Sequence, residues 1–115
     1  MTAQDFATVV DRLLNQVGHW EQSRWWTHTP AAAGSSAPAR SVPPTKGDLL
    51  YVLVQRLADL GADAEHRPRR PVPRLNDLAL PDQLRVMADD LLAAAPPDPT
   101  LKLAAEETTT THRSL

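Results

Sequence analysis

The stretch that decides the fold runs from Thr45 to Arg74, TKGDLLYVLVQRLADLGADAEHRPRRPVPR. Its first two thirds are helical in pattern. Leu49, Leu50, Leu53, Val54, Leu57, Leu60, Gly61 and Ala64 recur at the three- and four-residue spacing that lines one face of a helix. Thr45 with Asp48 forms a capping pair, in which the threonine oxygen meets an orphan N–H and the carboxylate faces the positive helix end. The spacing therefore predicts a helix over about 45–65, with Gly47 as a tolerated residue in its first turn. At about 100° per residue, Tyr51, Ala58 and Ala62 make a second, narrower apolar stripe, while Val52 falls on the polar side between Asp59 and Asp63. A helix with two apolar stripes is either central in a bundle or covered by a partner.

The last third, HRPRRPVPR from His66 to Arg74, stops the helix. Its prolines fix φ and push their neighbours toward extended or polyproline geometry, giving a stiff basic connector. Downstream, Leu80, Leu84, Met87, Ala88, Leu91 and Ala95 define another helix, opened by Asn76 or Asp77 with Pro81 in its first turn and closed by Pro96-Pro97. Val86 lies on its far side, among Asp82, Asp89 and Asp90. The moderate connector length leads to the expectation of an antiparallel hairpin over 45–95.

Upstream, Phe6, Val9, Val10, Leu13, Leu14, Val17 and Trp20 form one stripe, and Thr2 with Asp5 a second capping pair. A helix is expected over about 3–20, with the option of continuing past Gly18 to Trp26. Between these parts, PAAAGSSAPARSVPP (30–44) has neither helical nor strand periodicity and reads as a disordered linker. Residues 96–115 read as a mostly disordered, Thr-rich tail with one or two helical turns around Leu101–Glu107. The resulting architecture is a single all-α domain, a small three-helix bundle with a short fourth C-terminal helix at most.

Composition narrows the function classes. The chain has 115 residues, no cysteine and a net charge of −2, so disulfides, thiol catalysis and thiolate metal sites are excluded. Ten arginines against two lysines, with no isoleucine, fit a GC-rich bacterial gene. The beginning of the chain has no secretory pattern, and the longest apolar run, Leu49–Val54, is far below the ~20 residues of a membrane span. A cytoplasmic location is the expectation. The four connector arginines, Arg67, Arg69, Arg70 and Arg74, sit between two acidic helices, the reverse of a basic face shaped for nucleic acid.

The segment HWEQSRWWTHTP (19–30) is the densest in functional side chains. His19, Glu21 and His28 are capable metal ligands, but eight residues separate the histidines, where compact zinc sites use three to five. No metal, cofactor or catalytic residue is assigned, because no nucleophile elbow, metal-binding helix or phosphate loop is present. Trp20 extends the first core stripe. Trp25 and Trp26 either close the end of the bundle or anchor a partner beside Arg24. The expected function is thus a non-catalytic protein–protein interaction or assembly module, self-associating or serving as an accessory subunit. Its candidate contact residues are Arg24, Trp25, Trp26, Tyr51, Val52 and Val86. The alternative is a regulatory nucleic-acid binder using the 67–74 arginines.

Overall fold

Both capping pairs form. Asp5 N–H donates to Thr2 Oγ1 at 3.1 Å and Thr2 N–H to Asp5 Oδ2 at 2.9 Å. The Thr45–Asp48 pair repeats the arrangement at 3.1 and 3.0 Å. From these starts, the computed structural model, which describes residues 2–28 and 44–115, builds α1 (Ala3–Val17) and α3 (Lys46–Ala64). A one-turn helix, α2 (Gln22–Trp25), lies between them in the chain. A 3₁₀ turn (Asp77–Ala79) leads into α4 (Leu80–Ala93), and α5 covers Asp98–Ser114. The fold is all-α, without a strand among the described residues. Apart from Pro44, the expected 30–44 linker lies outside the described residues.

The first correction concerns the 45–95 hairpin, because α3 and α4 run parallel. A Cβ on Gly47 would meet Asp77 Oδ1 at 2.7 Å, and one on Gly61 would lie 3.8 Å from Leu91 Cα, so the two helices stay in step at an offset of thirty residues. The proline connector makes this arrangement reachable. It runs back along α3 as an extended strap, antiparallel to the helix. Arg69 pairs with Asp63, Arg70 O and Val72 N–H bond the Gln55 amide, Tyr51 OH donates to Val72 O, and Arg74 reaches Asp48. From 63 back to 47 a helix rises about 24 Å at ~1.5 Å per residue. Extended proline-type backbone from 69 to 77 spans about 25 Å at ~3.1 Å per residue.

The strap also explains the second stripe on α3. Tyr51 bonds the strap directly, Ala58 and Ala62 lie beneath it, and Val72 is buried in the core. Stripe and strap belong to the same chain. The strap begins at a helix stop in which His66 takes a positive φ of 57°, Arg67 N–H reaches back to Ala62 O at 2.8 Å and His66 N–H to Asp63 O at 3.1 Å.

The second correction is the C-terminal segment. Residues 98–114 form a full helix that buries Leu101, Ala104, Ala105 and Thr108. Small residues let α5 pack closely, and Thr108 is compatible with burial because its hydroxyl donates to Ala104 O at 2.8 Å. α5 packs against α1 and α3, and α4 packs against α1 and α3. The chain reverses between α4 and α5 at Ala95, where φ is 48°. Gln16 near the end of α1 contacts His112 near the end of α5, so this pair is parallel as well. The four long helices thus form two parallel pairs, α3/α4 and α1/α5, running in opposite directions.

Candidate interaction surface

Helix α1 ends at Val17, and Gly18 caps it with an N–H donated to Leu14 O at 2.8 Å. The chain turns through His19 and restarts at Gln22, which resets the helical phase. This break reassigns the three tryptophans. Trp25, a candidate contact residue, is fully buried in the core and offers no surface. Trp20, expected in the core, is half-buried against Trp25, with ring centroids 4.9 Å apart in an edge-to-face arrangement. Two cations lie over the Trp20 ring, Arg24 at 5.1 Å and Lys46 at 5.3 Å from its centroid. Trp26 is 63% exposed.

The end of the bundle that carries Trp26 is assembled from four pieces. Thr27 O accepts from Lys46 N–H at 2.8 Å, and His28 pairs with Thr45, which holds the α2 segment on the start of α3. Gln22 Nε2 donates to Asp77 Oδ2 at 2.9 Å, tying α2 to the 3₁₀ turn. Asp77 also pairs with Arg74 at 3.0 Å and sits against Gly47. Gly47 is therefore more than tolerated, since the carboxylate occupies the space a Cβ would take. Around this polar knot, Leu75 before the 3₁₀ turn (54%) and Leu78 within it (53%) are exposed. Three of the five exposed large apolar side chains of the described residues thus collect at one end.

Of the other candidate residues, Tyr51, Val52 and Val86 are not brought together with Trp26. Tyr51 is half-buried by the strap, and its ring carries the Arg74 guanidinium at 5.0 Å from the centroid. Val52 is exposed on a shallow groove between α3 and α5, beside Leu53, Leu103 and the Arg56–Glu107 ion pair. Val86 is exposed on the acidic face of α4. Arg24 stands over Trp20 beside Trp26.

The connector arginines are largely occupied. Arg69 makes a two-point pair with Asp63 (3.0 and 2.6 Å), Arg67 pairs with Glu65 at 3.2 Å, and Arg74 with Asp77 and Asp48 at 3.0 and 3.3 Å. The Arg69 hydrogen bond holds the Asp63 carboxyl below its ordinary value and raises the Arg69 guanidinium. Arg70 alone of the four makes no ion pair among the described residues. His19 and His28 are exposed, and no cluster of three metal-ligating side chains occurs among the described residues. No helix there is long and apolar enough to cross a membrane.

Sequence reasoning missed Leu75 and Leu78. Their signal was present in RLNDLAL, two leucines off the stripe that Leu80 begins. It also missed Gln55 and Gln83, whose amides bond the strap at Arg70 O, Val72 N–H and Pro73 O. A glutamine inside a helix carries no pattern that announces such a role.

The architecture is that of an all-α bundle with a strapped parallel pair. The chain matches no family model, no curated protein and no solved structure.

Proposed function

We propose that the protein is a non-catalytic association module that engages a protein partner, a second copy of itself or a larger subunit, through the end of the bundle bearing Trp26. The observation that carries this reading is the gathering of Trp26, Leu75 and Leu78 on mutually tied elements, with Trp26 63% exposed. Scattered exposed apolar residues are ordinary, whereas a collected group rimmed by polar side chains is the pattern of contact sites. Tryptophan and arginine are also the residue types richest in interface anchors, and Arg24 stands two positions before Trp26 in the chain, over the Trp20 ring.

Tying this end together matters for binding. Gln22–Asp77, Thr27–Lys46 and the two cations on Trp20 hold the anchors before any partner arrives, which reduces the ordering cost of association. Removing a central anchor typically costs about 2 kcal/mol or more, roughly 30-fold in affinity.

Gel filtration of a lysate from the native cell tests the proposal. The wild-type chain should elute in a discrete species larger than its 12.6 kDa, and Trp26→Ser should shift it to the monomer position. Elution of the wild-type chain as a monomer would overturn the proposal.

A further inference from the structure

Away from the Trp26 end, the strap does not lie flush on the helices along its whole length. Val72 plugs the core, but upstream of it the strap bridges Ala58, Gly61 and Ala62, where two methyl groups and a glycine leave the space beneath it unfilled. The result is a cleft of about 300 Å³ between α3, the strap and Met87 of α4. That size is at the lower end of small-molecule sites, about 300–1,000 Å³, which combine an apolar lining with a few placed polar groups.

The charges on this cleft divide into two kinds. Arg67 and Glu65 line it but neutralise each other at 3.2 Å. Arg70 on the strap and Asp90 on α4 also line it, and neither has an ion-pair partner among the described residues. One cation and one anion, both exposed and outside any ion pair among the described residues, thus line the same apolar cleft. The strap holding Arg70 is fixed on both sides, by Arg69 on Asp63 and by Gln55 on Arg70 O and Val72 N–H.

We propose that this cleft binds a small zwitterion with an apolar body, the chemistry of a free hydrophobic α-amino acid. The carboxylate meets Arg70, the ammonium meets Asp90, and the side chain lies over Ala58, Gly61 and Ala62 against Met87. Each charged contact contributes a charge-assisted hydrogen bond, the stronger kind, and neither ligand charge alone satisfies both walls. The site is separate from the Trp26 end, so either proposal can fail without the other.

The test is an NMR titration of the full chain with L-leucine, with 4-methylpentanoate and 3-methylbutylamine as probes that keep one charge each. L-leucine should give saturable shifts at Ala58, Ala62 and Met87 and none at Trp26. Each single-charge probe, and each of Arg70→Ala and Asp90→Ala with leucine, should bind about tenfold or more weakly, the loss expected for one charge-assisted bond. Ala62→Leu, which fills the cleft, should abolish the shifts while its spectrum remains that of a folded chain. Absence of saturable shifts, shifts centred elsewhere, or a single-charge probe binding as tightly as leucine would each overturn the proposal.

Discussion

Replacing Gln55 by Ala tests whether the strap is an integral part of the fold. The Gln55 amide holds the strap at two points, donating to Arg70 O at 3.0 Å and accepting from Val72 N–H at 2.7 Å. Val72 lies between Pro71 and Pro73, so its N–H is the only backbone donor of that tripeptide. The Arg70 carbonyl is exposed, and water replaces its lost bond for about 0.5 kcal/mol. The Val72 N–H is partly buried and left without its acceptor, at a cost of about 1–1.5 kcal/mol. Alanine returns a few tenths of a kcal/mol in helix propensity. The net loss is then about 1–2 kcal/mol, or roughly 4–8 °C in Tm for a chain of this size. Urea unfolding measures the loss, and hydrogen exchange at the Val72 amide locates it. The amide should be protected in the wild type and exchange much faster in the variant. A variant as stable as the wild type, together with an unprotected Val72 amide in the native protein, would refute the docked strap.

Four further outcomes follow from local geometry. The lowered Asp63 carboxyl adds stability that is complete above about pH 5 and is lost as the pH falls below about 4, through its folded-state value. Asp5, held low by the Thr2 backbone N–H, contributes with the same sign. Urea midpoints at neutral pH and near pH 3 should therefore converge in Asp63→Asn relative to the wild type. Gly61→Ala should stabilise by up to about 1 kcal/mol, because a Cβ there meets only an ordinary contact with Leu91 and helix propensity improves. Gly47→Ala should destabilise, because its Cβ falls 2.7 Å from the Asp77 carboxylate that Gln22 and Arg74 hold in place; thermal melts compare the two. Ala95→Gly should raise the melting temperature, relieving about 1 kcal/mol of cost at φ 48°.

The long apolar stripes made α1, α3 and α4 legible, since Phe6, Val10 and Leu13, or Leu50, Leu53 and Leu57, record burial directly in their spacing. The capping threonines fixed two helix starts for the same local reason. α5 escaped because its buried face consists of Leu101, two alanines and Thr108, and a threonine run carries weak helix propensity and little hydropathy. Only packing against α1 and α3 makes that face a core surface. The parallel α3/α4 pair escaped because a connector's length does not reveal its conformation. Twelve residues suffice for a wandering loop, but the prolines stretch them to the length of a helix. Of the candidate contact residues, the exposure of Val52 followed from its place on the polar side of the helical wheel, whereas the spacing left Trp25 and Trp26 undivided between core and surface. The burial of Trp25 depends on where the chain breaks after Val17.

The most direct measurement places a photo-crosslinking amino acid at position 26, with the same group at Val86, exposed on α4, as the control. Irradiation in the native cell should give a discrete adduct from position 26, at twice the chain mass for self-association or at the mass of chain plus partner otherwise. Position 86 should give none. No adduct at position 26, or the same products from both positions, would contradict association through the Trp26 end.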